Sequence, residues 1–135
     1  MKIWIVTFLA ALVVLAILDF AWLGFVARDF YMSRLGPLLR EQPLWAVAVL
    51  FYVVHAAAIA TFAVPLALAN TGSGPGWGPA ILYGAALGFC AYAAYDLTNL
   101  ATLRGWPVVV TVVDLAWGTF VTAAATVVAF ALVKP

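Results

Sequence analysis

Apolar residues fill four stretches of the chain, at about 3–27, 44–69, 79–103 and 107–133, and polar or glycine-rich residues are confined to the gaps between them. Each stretch exceeds the roughly 20 residues that a helix needs to cross a bilayer, with length to spare for some tilt. The pattern predicts an all-α chain: an integral membrane four-helix bundle forming one transmembrane domain over residues 1–135. The connection 28–43 is the longest and most charged, 70–78 is an uncharged glycine-rich turn, and 104–106 is short enough to force an antiparallel hairpin.

Composition agrees with a bilayer as the solvent. Of 135 residues, 68% are hydrophobic and 8% charged, more apolar surface than a soluble domain of this size can hide. A net charge of +1 argues against nucleic acid as a partner. Cys90 is the only cysteine, which excludes a disulfide framework within one chain. Beyond the lipid bilayer, four helices are few for a transport path, so a homodimer or a larger membrane complex is the expected assembly. Lys2 followed by an apolar run resembles a signal peptide, yet no A-x-A-like site follows, and the run reads as the first transmembrane helix.

Basic residues set an expected orientation. Arg28, Arg34, Arg40 and Arg104 lie beside loops one and three, against Lys2 and Lys134 at the other end. That bias predicts loops one and three in the cytoplasm and both termini outside. Trp4 and Trp77 would mark one membrane interface, and Trp45 and Trp106 the other. Trp22 and Trp117 are left over, and each follows an intramembrane aspartate by three residues.

Those aspartates are the strongest functional signal. Three of the five acidic residues, Asp19, Asp96 and Asp114, fall inside the apolar stretches, in the tetrapeptides Asp-Phe-Ala-Trp, Asp-Leu-Thr-Asn and Asp-Leu-Ala-Trp. A charged group at the centre of a membrane helix costs roughly 2.5–3.5 kcal/mol on insertion scales, so each needs a partner or a purpose. Helical rise places Asp19 about 12 Å, Asp96 about 10 Å and Asp114 about 9 Å from the loop-one side, with His55 deeper at about 16 Å. Thr98, Asn99 and Thr111 are expected at similar height.

Small residues suggest which faces pack. Ala80, Gly84, Gly88, Tyr92 and Asp96 recur every four residues on one stripe, and Asp114, Gly118, Thr122 and Ala125 or Thr126 form another. In the first helix, Ala16 and Asp19 are expected to share a face with Leu12 and Leu23. Three clustered carboxylates call for a shared proton, an imidazolium from His55 or a bound cation. Trp22, Trp117 and Asn99 can donate hydrogen bonds to an aspartate, and Tyr92 can extend the polar layer.

The candidate substrate- or ion-binding set is therefore Asp19, Asp96, Asp114, His55, Asn99, Trp22, Trp117 and Tyr92. No metal site is assigned, because no H-x-x-H or E-x-x-H spacing accompanies His55, and no cofactor motif occurs. Cys90 is expected to be a small packing residue, and Pro65 to bend or end the second helix. The 28–41 segment reads either as an interfacial amphipathic turn or as a basic topogenic loop.

The segments from Asp19 and from Asp114 match at Asp, Ala, Trp, Phe and Val, on helices of opposite direction, which would suit an inverted relationship between halves. Asp19 and Asp96 lie instead on parallel helices, which would suit tandem hairpins. Together with Tyr95-Asp-Leu-Thr-Asn, these motifs make the whole chain resemble a bacterial family of small four-span membrane proteins of unknown function. The resemblance implies a multi-pass location in the bacterial inner membrane and no established activity.

Three functions compete at this point. The first handles protons, ions or a small polar solute at the aspartate layer. The second is a membrane-embedded lipid-modifying enzyme, or its accessory subunit, using Asp and His as acid and base. The third is a structural subunit held by Asp–Trp clamps. Interhelical hydrogen bonds in membranes average only about 0.6 kcal/mol, a small return for burying three acids.

Overall fold

A computed structural model describes residues 1–72 and 74–135. It holds four helices long and apolar enough to cross a membrane, Lys2–Val26, Trp45–Ala69, Trp77–Thr102 and Val108–Val133, and no strand among the described residues. They are called the first to fourth spans. Loops one and three lie at the end of the bundle carrying the four arginines, here the arginine end.

Helix boundaries follow local chemistry. Pro107 precedes the fourth span with φ −77°, a conformation that its ring already favours. Pro79 sits in the first turn of the third span, where a missing N–H leaves no bond unmade. Gly105 turns the hairpin between those spans at φ +78°, where a side chain would be strained.

Two spans contain a wide π-helical turn. One covers Trp22–Val26, beginning three residues after Asp19, and the other Ile59–Ala63, beginning four residues after His55. Pro65 follows the second. It lacks the N–H that would bond four residues back, and the wider turn absorbs its ring. The helix then continues to Ala69, so Pro65 neither ends the span nor is its outer limit.

The third and fourth spans form the tightest pair. The two small-residue stripes face each other: Gly84 lies on Thr126, Gly88 on Thr122 and the Gly118 carbonyl, and Gly118 under the Tyr92 ring. The first span packs along the other side of the fourth. Its buried face is Thr7, Ala11, Leu15 and Asp19, spaced by four, while Ala16 and Leu23 are exposed. The expected companions of Asp19 are thus replaced by a straighter row of residues, in which Ala11 lets the fourth span approach.

The second span divides in two. Its outer part, from the π turn to Ala69, packs on the third span, whereas Trp45–Ala58 packs mainly on the first. Phe51 and His55 reach the Tyr92 ring, but nearer the arginine end the second and third spans diverge. Far from that opening, Ile59, Val64, Ala80, Val121, Ala125, Ala129 and Phe130 close a continuous apolar core.

The 28–43 connection is not a simple loop. At Ala27 the backbone leaves the helix (φ −109°, ψ 6°), and Arg28–Leu35 forms a short helix. Leu35 packs with Trp106 and Val110, and Phe30 and Tyr31 flank that cluster. Trp106 is only 9% exposed and donates to Thr111 Oγ1 at 3.1 Å. It is buried under the connecting helix, where an interfacial belt position was expected. Trp45 is 70% exposed at the start of the second span.

Candidate functional site

The two Asp-x-Ala-Trp elements cross each other on the first and fourth spans. Three residues is nearly one helical turn, so Asp19 and Trp22 share a face, as do Asp114 and Trp117. Antiparallel packing then sets each tryptophan beside the other helix's aspartate. Trp117 Nε1 donates to Asp19 Oδ1 at 2.7 Å. The Tyr52 hydroxyl, from the second span, also approaches the Asp19 carboxyl.

Asp114 is served by a longer route. The Tyr31 hydroxyl, on the connecting helix, donates to Asp114 Oδ1 and accepts from Trp22 Nε1 at 3.3 Å. Between the two aspartates, the Trp22 and Trp117 rings stack with centroids 4.3 Å apart and planes 7° from parallel. The result is a reciprocal arrangement about the stacked indoles, with Tyr31 inserted on one side only.

Burial, and next the bond to Asp114, push the Tyr31 phenol above its ordinary value. Tyr31 therefore remains a donor at neutral pH.

Asp96 differs from both. It is fully buried on the third span, and neither of its carboxylate oxygens has a hydrogen-bond partner among the described residues. Its polar neighbour is the Asp114 carboxyl, within hydrogen-bonding reach. Two ionised carboxylates offer only acceptors to each other, so contact between them becomes a bond only when one carries a proton.

Other candidates separate from this pair. His55 Nε2 lies 2.8 Å from Thr122 Oγ1, and Thr126 Oγ1 donates to the Thr122 carbonyl at 2.8 Å. Thr122 is eight residues beyond Asp114, about 12 Å along the fourth span, so His55 forms a second, deeper polar cluster. The Tyr92 ring lies edge-on to His55, with centroids 6.4 Å apart, and its hydroxyl end is near Asp19 and Asp114. Tyr92 thus bridges the two levels.

Asn99 is half-buried near the Tyr95 hydroxyl and bonds to no aspartate in the described set. Thr98 is exposed and turns its hydroxyl back to the Ala94 carbonyl. Cys90, expected to be a small packing residue, is exposed on a shallow groove beside Phe62 and Ala63. No group of three or more His, Cys, Asp or Glu residues is arranged to hold a metal ion among the described residues.

A chamber of about 980 Å³ opens beside the carboxylates. Asp19, Asp114, Tyr52, Tyr92 and Trp117 line its depth, and Arg28, Arg40 and Glu41 line its arginine end. Its volume matches the largest of ordinary small-molecule sites, which run roughly 300–1,000 Å³. Asp96 is not on its wall and lies behind Asp114.

Tyr31, Tyr52 and the chamber arginines were not singled out from sequence. Asp114 needs a donor, and a tyrosine in an amphipathic stretch between spans is the one available signal. Nothing local shows that residue 31 meets a group 83 positions away.

No curated protein and no solved structure matches the chain. The four apolar helices make it a multi-pass membrane protein. Residues 4–131 match the model of the predicted membrane protein family DUF2177, whose function is unknown, and the chain belongs to that family.

Proposed function

We propose that this protein handles protons or small cations at the Asp96–Asp114 pair, exchanging them with the chamber at the arginine end. Asp96 carries this reading. A clamp between helices would give that carboxyl a donor, as Trp117 does for Asp19 and Tyr31 for Asp114. Asp96 instead has a second carboxyl for company and no hydrogen-bond donor among the described residues. In a low-dielectric layer such a pair holds one shared proton, or it holds two charges and a cation.

Access favours the same conclusion. Asp114 faces the chamber, so a proton arriving there has Asp96 immediately behind it. Tyr92 and the His55–Thr122–Thr126 cluster continue the polar groups toward the opposite end. Past them, packed apolar side chains close the bundle, which corresponds to a site open to one side only. Transport would require a second state open to the other side.

The test is flux. Purified protein in proteoliposomes, under an imposed pH gradient or with a radiolabelled monovalent cation, is expected to show uptake above empty vesicles. The Asp96→Asn, Asp114→Asn double variant is expected to lose it. Wild-type flux in that variant would sink the proposal.

The lipid-enzyme alternative draws on one observation, the apolar chamber that opens between two spans. It predicts an altered lipid profile in a strain lacking the protein. An unchanged profile under membrane stress would remove its support.

A further inference from the structure

We propose that the chamber is a lateral binding site for one phospholipid of the adjoining leaflet, held by its phosphate at Arg28 and Arg40. The inference goes beyond the proton reading and does not depend on it, because it concerns the walls and mouth of the chamber and not the Asp96–Asp114 pair.

Two of the chamber's walls come from spans that diverge, and the first and fourth spans with the 28–43 connection supply the rest. Val47, Ala48 and Phe51 stand on the second span, facing Ala91, Tyr92 and Tyr95 on the third. The second span meets the third chiefly at the Tyr92 ring and beyond the π turn at Ile59, so nearer the arginine end a gap opens between them beside the exposed Val47 and Tyr95. An acyl chain can enter sideways without leaving an apolar environment.

Charge selects the headgroup. Arg28 and Arg40 lie at the mouth, at the depth where a chain inserted among Val47 and Phe51 would leave its phosphate. Of the arginines in the connection, only Arg34 makes side-chain hydrogen bonds among the described residues. Glu41 is also at the mouth, leaving it a net positive charge. Arginine suits a phosphate because its planar fork can donate two parallel hydrogen bonds. The Asp19 carboxylate lies deeper, about two and a half helical turns before Arg28 in the chain, and so away from the headgroup.

Native mass spectrometry of the detergent-purified full chain, titrated with phosphatidylglycerol, tests this. Wild type is expected to retain one lipid. An Arg28→Gln, Arg40→Gln double variant is expected to bind at least about tenfold more weakly, since both charges that would face the phosphate are gone. Ala48→Trp, which fills the wall and keeps both arginines, is expected to weaken binding as well. Circular dichroism melting of each variant separates lost binding from lost folding.

Equal retention by wild type and both folded variants would overturn the proposal. Glycerol phosphate, a headgroup without a chain, is expected to give no adduct. An adduct as stable as the lipid's would assign the mouth to free phosphate esters. Tight binding of tetraphenylphosphonium with no retained phospholipid would assign the chamber to cationic amphiphiles, and either result overturns the inference.

Discussion

Asp19, Asp96 and Asp114 look alike in the sequence but meet three different surroundings. Asp19 accepts from an indole on the facing helix, Asp114 accepts from a phenol on the connecting helix, and Asp96 accepts from neither. Trp117→Phe removes the N–H together with part of the ring surface stacked on Trp22. It should lower the melting temperature in detergent, at a cost above the about 0.6–1.7 kcal/mol of an interhelical hydrogen bond alone. A melting curve indistinguishable from wild type would mean that the 2.7 Å contact contributes nothing.

Tyr31 adds a pH dependence. Its phenol is held above the ordinary value of about 10, so the protonated form is favoured in the fold. That contribution is complete below about pH 10 and is lost as pH rises through the raised value. The Tyr31→Phe variant should be less stable than wild type at neutral pH, and the gap should narrow above about pH 10. Parallel curves for the two proteins across that range would contradict the assignment.

At the scale of elements, close approach of the third and fourth spans positions Asp96 against Asp114. A methyl group on Gly88 would overlap the Gly118 carbonyl, which belongs to backbone that has no room to retreat. Gly88→Ala should therefore destabilise by about 1–3 kcal/mol, the usual range for overpacking. Gly24→Ala, with no atom within 4 Å of the added carbon, should be neutral or better. Similar effects from the two substitutions, in thermal melts, would remove the case for a tight interface.

These elements also show how far the sequence was legible. The spans could be read because bilayer thickness sets a minimum apolar length, and the glycine stripes because their spacing marks one helical face. The connecting helix could not, since Phe30, Tyr31, Met32 and Leu35 fit an interfacial turn as well as a lid over the bundle. The π turns were hidden for a similar reason. One extra residue in a turn leaves the hydrophobic pattern of a uniformly apolar helix unchanged.

For the whole molecule, the two eight-residue segments that agree at five positions meet in space through the stacked tryptophans and the Trp117–Asp19 bond. Depth along the helices was enough to expect Asp19, Asp96 and Asp114 in one layer. It was not enough to separate His55, whose partner is set by the packing of the second span on the fourth. Nor could depth show that the second and third spans part company, because divergence between helices leaves no mark on either one's periodicity. The chamber, and with it the route to Asp114, belongs to tertiary structure alone.

The account rests on a proton held between Asp96 and Asp114, and infrared spectroscopy in bilayers observes it most directly. At neutral pH the wild type should show a protonated carboxyl band that shifts on exchange into heavy water. Asp96→Asn should abolish that band, leaving Asp114 an ionised acceptor for Tyr31. A wild-type spectrum with no protonated carboxyl at neutral pH, or a band that persists unchanged in Asp96→Asn, would contradict the shared proton.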